Sequence, residues 1–271
     1  MRYLFSTLLG TAVLAAALPC LSEESASAAS GSNATVDSVR DCMKANLPER
    51  SIEQDIKLAS VDRGGSERRL DARLYWQRDE ESRVQANIRV SAPPDLAGSS
   101  YLLLEKESRD DLYMYLPATQ RSRRIVGSMM AQPVWGTDLS YEDVKRLQGI
   151  VDDGQVSRLP DAEVQGRAVF QLKLVPAVEE ESPYREMILS VDQETCVVIH
   201  GEFFEAGPDP VKRLTADPTK LTREQDRWYP QMIRMVDLRD DSHTTLEVIK
   251  VTFDPDLPSR LFSSQSFYRG N

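Results

Sequence analysis

The sequence predicts a mainly β protein built on one strongly curved antiparallel sheet of roughly eleven strands. Three observations predict it. Apolar and polar residues alternate with a period of two through most of the chain, as in a sheet with one wet face. The alternating segments are short, and the 15 Pro and 13 Gly are spread along the chain as punctuation between them. Helix periodicity is confined to an opening segment, to Ser140–Leu147 and to the last residues. Strands in a row with few helices argue against an alternating α/β enzyme core.

Residues 1–28 read as a secretory leader. Arg2 gives a positive start, Tyr3 to Leu18 is almost wholly apolar, and Ala26-Ser27-Ala28 supplies a cleavage site. The apolar run is short for a bilayer span, and Ser22, Glu23 and Glu24 follow it. Cys20 suggests a lipidation site, but Pro19 before it would hinder a peptidase that needs a small, flexible residue there. Cys20 is therefore expected to leave with the leader. Residues 29–271 then form a single exported domain of about 240 residues, enough for a full core.

The exported part opens with a helix. Val36, Val39, Met43 and Leu47 recur at three- and four-residue spacing, Thr35 or Asp37 caps the start, and Pro48 ends it. A strand is expected between Ile52 and Val61. In Arg69–Trp76, Leu70, Ala72, Leu74 and Trp76 share one face. In Arg83–Ala92, Val84, Ala86, Ile88 and Val90 oppose Arg83, Gln85, Asn87 and Arg89, until Pro93 and Pro94 stop the strand. Further strands are expected at Tyr101–Lys106, Asp111–Leu116, Arg167–Val175, Arg185–Val191, Cys196–Phe204, Val211–Thr215, Gln231–Leu238 and Thr244–Phe253. Short connections favour antiparallel neighbours. Gly149–Gly166, rich in Asp and Gly, reads as a loop or irregular edge.

Charge and composition exclude several functions. With 33 Lys+Arg against 43 Asp+Glu the net charge is -10. No basic excess exists to displace counterions from nucleic acid or to hold an anionic membrane surface. No Gly-rich phosphate loop and no G-x-S-x-G appears. The two histidines, His200 and His243, lack metal-ligand spacing. Acidic pairs such as Asp110-Asp111 and the run Glu179-Glu180-Glu181 read as solvated turns. An enzyme is not expected, and neither a metal nor a cofactor is implied. An outer-membrane barrel is not expected either, because the apolar faces are matched by charged ones and the chain ends in Arg269-Gly270-Asn271. Apart from Cys20 the cysteines are Cys42 and Cys196. An even pair in an exported protein suggests one disulfide, with two buried thiols as the alternative.

Two helices are too few to fill the concavity of so large a sheet, so either its own side chains close it or a cavity remains. The apolar faces of Ile88, Leu102, Leu104, Leu112, Met114, Leu116, Phe170, Leu172 and Leu174 are the candidate lining. Leu and Met repack cheaply around flexible chains.

The segment Leu112–Asp143 carries the most specific pattern. A strand with a Tyr115-Leu116-Pro117 exit is followed by the basic cluster Arg121, Arg123 and Arg124. A Gly136-Thr137-Asp138 turn and a capped acidic helix start at Ser140-Tyr141-Glu142-Asp143 come next. This order resembles the outer-membrane lipoprotein-sorting (LolA-like) family. The resemblance extends to the Cys42 helix, Thr195-Cys196-Val197, Trp228-Tyr229-Pro230, Leu257-Pro258 and Phe262-Ser263. It implies an unclosed antiparallel β-barrel with a helical lid, and a periplasmic carrier of lipoprotein acyl chains or related lipids. It also implies a membrane partner, an exporter of the RND type. The alternative is an RseB-like periplasmic sensor that regulates a membrane protein, although such sensors usually carry a second domain. The segment around Arg121–Arg124 is expected to leave the sheet as a flap, with its arginines facing an acidic partner or a lipid phosphate.

Overall fold

The computed structural model describes residues 33–107, 109–147, 154–178 and 182–269. The leader expected over residues 1–28, Cys20 and the acidic run 179–181 lie outside the described residues.

After helix α1 (Val36–Ala45), the chain forms β1 (Ser51–Val61), β2 (Glu67–Arg78), β3 (Val84–Ala92), β4 (Ser100–Leu104), β5 (Asp111–Leu116) and β6 (Arg121–Ile125). A crossing segment with a 3-10 turn (Gly127–Ala131) and helix α2 (Tyr141–Leu147) follows. The second half contains β7 (Gly154–Val164), β8 (Arg167–Pro176), β9 (Glu186–Asp192), β10 (Val198–Phe204) and β11 (Lys212–Ala216). It ends with β12 (Leu221–Glu224), β13 (Arg227–Pro230), β14 (Met232–Asp237) and β15 (Ser242–Phe253).

Thirteen of these strands form one antiparallel sheet in the order β6-β5-β4-β3-β2-β1-β15-β14-β11-β10-β9-β8-β7, and β12 and β13 form a separate hairpin. The sheet is thus two meanders joined where β1 pairs with β15. Its edges, β6 and β7, do not pair with each other, so the barrel is unclosed. Alternation dictates the core. On β1 and β2, Leu58 faces Leu70 and Ile56 faces Ala72; on β2 and β3, Leu74 faces Ile88. All these side chains are buried on the concave side. Irregular register at Asp55/Ile56 and at Asp71/Ala72 falls on neighbouring strands. Bulges there bend and twist the strands, which suits the curvature of the sheet.

Each half of the sheet has its own cover, the first half on its outer face and the second half on its concave face, where Met43 and Leu47 reach the cavity. Over β3–β5 the chain returns after β15, and Leu261, Phe262 and Phe267 pack on Leu102. Asn87 Nδ2 secures this strap by donating to Leu261 O (2.6 Å) and to Phe267 O (2.9 Å). The last residues, expected to be helical, contribute only the 3-10 turn Ser259–Phe262. On the other half, α1 buries Val39 against Leu172, Val191 and Cys196. The Thr35 side chain caps α1 by accepting from Ser38 N (3.1 Å). A disulfide joins Cys42 to Cys196, with Cα atoms 5.7 Å apart. Asn46, the C-cap, donates to Thr195 O (2.7 Å) and accepts from Trp228 N (2.9 Å). One side chain therefore ties helix, disulfide loop and β12–β13 hairpin together.

Four of the fifteen strands were not legible in the alternation. The loop expected over Gly149–Gly166 is corrected: its described part from Gly154 to Val164 is the edge strand β7. Its pairing with β8 is irregular between Leu159 and Ala162, around Pro160, which breaks the period of two. Gly154 is required there, since a Cβ would collide with Val175 O. The flap expected at Arg121–Arg124 is likewise corrected. These residues form β6, a short edge strand too polar to show alternation. The lid begins only after it.

Asp192 holds the turn that presents Cys196. It accepts from Thr195 N and Thr195 Oγ1 (both 2.8 Å) and from Arg167 Nε (2.6 Å) and Nη2 (2.8 Å). Burial alone would raise its carboxyl pKa, but Arg167 and Thr195 hold it below its ordinary value of 3.8. A lowered pKa contributes stability above the unfolded value that is lost as pH falls through the folded one. Asp192→Asn should therefore destabilise the protein at pH 7, and its deficit against wild type should shrink below about pH 4 in chemical denaturation. A disulfide closing so long a loop contributes about 4–5 kcal/mol in the chain-entropy model. Cys42→Ser/Cys196→Ser should lose stability of that order in urea titrations, with no change on adding reductant.

Candidate functional site

The concave face is not filled. A cavity of about 350 Å³ lies between the sheet and the lid. Its floor is apolar: Ile56 and Leu58 of β1, Leu74 of β2, Met187 and Leu189 of β9, and Leu246 and Val248 of β15. One side is walled by Met43 and Leu47 at the end of α1, by Trp228, Tyr229 and Pro230 of the β12–β13 hairpin, and by Phe253. Val134, Trp135, Leu139, Val144 and Leu147 come from the lid. The chain has three tryptophans, and all of them (Trp76, Trp135 and Trp228) line this cavity.

The lid is fixed at its tight turn and at its helix. At the turn Val134–Thr137, Trp135 and Gly136 have φ of 53° and 75°, the left-handed sense at both central positions. Gly136 is needed, because its position lies close against the Arg68 side chain as well as demanding positive φ. Asp138 then anchors the lid to β15: its N–H donates to Thr244 Oγ1 (2.8 Å), and its carboxylate accepts from Thr244 Oγ1 (2.6 Å) and Ser242 Oγ.

Helix α2 buries its charged residues. Ser140 and Asp143 form a reciprocal cap, with Ser140 N donating to Asp143 Oδ2 (2.8 Å) and Asp143 N to Ser140 Oγ (3.1 Å). Asp143 is 1% exposed, and it also accepts from Lys212 Nζ of β11 and from Tyr184 Oη, each at 2.7 Å. Lys212 Nζ donates in addition to Asp138 O (2.7 Å). Burial, and then the Asp143 charge, push the Tyr184 hydroxyl pKa well above its ordinary value. Lys145 pairs with Asp110 (2.9 Å), and Arg146 with Glu142 (2.7 Å), again inside the protein. The acidic first turn was legible in the sequence; its burial was not.

The expected lining residues are dispersed. Ile88 and Leu174 line the cavity. Leu112 and Met114 belong to the same core, and Leu116 packs against it, yet none of the three lines the cavity. Leu102 and Leu104 face the opposite way, against the C-terminal strap. Strand β4 is covered on both faces, so its apolar run Tyr101–Leu104 carries no alternation to say which residues point inward. Tyr101 and Leu103 are the inward ones. Phe170 and Leu172 lie under α1, outside the cavity lining. The lining that sequence reading missed comes from β1, β2 and β15 in the floor, and from the lid, α1 and β12–β13 around it. The signal available was the placement of two of the three tryptophans in connecting segments.

Arg121, Arg123 and Arg124 are exposed on β6. Arg121 and Arg123 lie opposite Leu116 and Met114, and so on the concave side, whereas Arg124 lies opposite Tyr113 and pairs with Asp111. Among the described residues no group of three His, Cys, Asp or Glu could hold a metal ion, and no helix is long and apolar enough to cross a membrane.

An open antiparallel sheet with a lid over an apolar cavity is the LolA-like architecture. A family model described as "-like: Uncharacterized protein" matches residues 82–269, and the chain belongs to that family, whose fold is LolA-like. Solved structures share the fold at low sequence identity. A Vibrio parahaemolyticus domain described as of the outer membrane lipoprotein-sorting type superposes with a TM-score of 0.78 at 19% identity, over 87% of this chain and 98% of that one. A DUF1329 family protein from Desulfovibrio piger gives 0.76 at 20% identity, over 84% and 97%. A LolA superfamily protein from Nitrosomonas europaea gives 0.69 at 16% identity, over 85% and 98%. No curated protein matches the sequence.

Removing one partner of a buried ion pair strands the other, which typically costs 3–5 kcal/mol. Lys212→Met should therefore lower unfolding free energy by about that amount. Changing Arg121, Arg123 and Arg124 together to Ala should shift it by less than about 1 kcal/mol, because exposed charges contribute little. Urea titrations of the two variants side by side check the contrast.

Proposed function

We propose that the protein is a periplasmic carrier that takes the acyl chains of lipoproteins or related lipids into the cavity beneath its lid. The observation that carries this reading is the cavity itself: about 350 Å³, apolar in its floor and rimmed by aromatic residues. Close-packed interiors rarely leave such a volume unfilled, and pockets that bind small molecules begin at about this size. The lid is anchored to the sheet through Asp138 and Asp143, so the space does not depend on a ligand to hold it open. A disulfide fits an oxidising compartment outside the cytoplasm. The descriptions of the neighbours from Vibrio parahaemolyticus and Nitrosomonas europaea point the same way.

Transfer requires a membrane partner. The exposed Arg121 and Arg123, on the edge strand that feeds the lid, are the surface proposed to meet it. An exporter of the RND type is the partner suggested by the family resemblance.

A fluorescent fatty-acyl probe should bind with saturation and should shift the intrinsic tryptophan emission to the blue, since all three indoles border the cavity. Leu246→Phe, which fills the floor with a larger side chain, should weaken the probe by roughly tenfold or more while circular dichroism stays unchanged. Probe binding that is unsaturable, or indifferent to filling the cavity, would count against a carrier.

A further inference from the structure

We infer that β6 is a docking edge for an extended acidic segment of a partner protein, which joins the sheet as one more strand. The inference rests on the carrier reading only in taking this edge as the partner surface, and it supplies the chemistry of the contact. Strand β6 ends the sheet and pairs with β5 alone. That pairing runs without a register shift from Leu112 opposite Ile125 to Leu116 opposite Arg121. The free side of such a strand presents a row of backbone N–H and C=O groups, a template for another chain. The other edge lacks this regularity: β7 carries Pro160, and its register breaks between Leu159 and Ala162.

The side chains say which chain fits. Arg121, Ser122, Arg123 and Arg124 are all exposed. Arg124 pairs with Asp111, whereas Arg121 and Arg123 have no acidic partner among the described residues. These two share one face of the strand, as their neighbours Leu116 and Met114 do on β5. A strand laid along β6 would set its own alternate side chains directly opposite them, at the spacing of cross-strand pairs. Carboxylates at those positions would meet the guanidinium groups in charge-assisted hydrogen bonds.

The charge of the whole chain sharpens the choice. It is -10, so an acidic segment is disfavoured over most of the surface and drawn to this basic edge. The arginines also keep the β6 edges of two copies apart, since like charges would then face each other. Attraction to one charge pattern and repulsion of the other together give specificity. A lipid surface would meet the arginines but offer no ladder to the backbone groups beside them. A peptide strand answers both.

The test uses short synthetic peptides and fluorescence anisotropy with the purified protein. A peptide in which glutamate and threonine alternate should bind roughly tenfold tighter than one of the same composition with its glutamates grouped at one end. Two N-methylated forms of the alternating peptide, methylated at the glutamates or at the threonines, keep every charge and each remove the backbone donors from one side. One of them should lose binding and the other retain it, and amide exchange of β6 should slow in the complex. Arg121→Glu/Arg123→Glu should reverse the preference, toward a peptide in which lysine replaces glutamate. The methylated peptides are read on the unmodified protein, so the result does not depend on that variant folding. Equal binding of alternating and grouped peptides, or full binding by both methylated forms, means charge attraction without a strand and overturns the inference. No binding overturns it as well, as does capture of phosphatidylglycerol vesicles by these arginines in place of the peptide, or a dimer that occupies the edge. The acyl-probe titration uses no peptide, so the carrier reading and this one fail separately.

Discussion

Asp143 is a carboxylate inside the protein, and its two oxygens are met by an ammonium, a phenol hydroxyl and a backbone N–H. These donors come from different parts of the chain. Lys212 stands on β11, Tyr184 precedes β9, and Ser140 begins the lid helix. Moving the lid outward by a few ångströms would leave charges of opposite sign buried and apart, at a cost of several kcal/mol. The buried ion pair therefore fixes the position of the lid above the sheet, and the cavity lies in the space between them.

The same arrangement explains why the sheet stays open. Its edges are unsuited to pairing. Strand β6 presents arginines on both faces, and β7 carries Pro160, a register irregularity, and the charged residues Arg158 and Asp161. Charges, proline and bulges are the usual means by which exposed edges avoid association. The lid follows the edge strand β6 directly in sequence, from Gly127 to Leu147.

The sheet was legible because β1, β2 and β3 alternate cleanly, and because proline and glycine mark their ends. The opening helix was legible from Val36, Val39 and Met43, with Thr35 as its cap. The cavity-lining residues were much less so. Alternation says which side chains share a face, but a strand covered on both sides, such as β4, loses that information. It is also silent about what lies over a face. Phe170 and Leu172 alternate correctly with Leu174, yet α1 covers the first two and leaves the third at the cavity. The tryptophans of the lid and of the β12–β13 hairpin sit in irregular or short elements, where no period exists to place them. Burial of Glu142, Asp143 and Lys145 depends on partners such as Asp110 and Lys212, which only the tertiary fold brings close.

The pairing of β1 with β15 has a kinetic meaning. These are the first and last strands of the sheet, and they meet at its middle, with Ile52 opposite Phe253. A ribosome adding 5–20 residues per second needs roughly 10–40 s to make the intervening stretch of about 200 residues. Throughout that interval the first meander has an open inner edge at β1, and the second cannot yet dock. Contacts this distant in sequence slow folding. A growing chain therefore cannot complete its central seam before nearly all of it has been synthesised. Until that seam closes, the two halves remain separate meanders, each with an open edge at the middle of the future sheet.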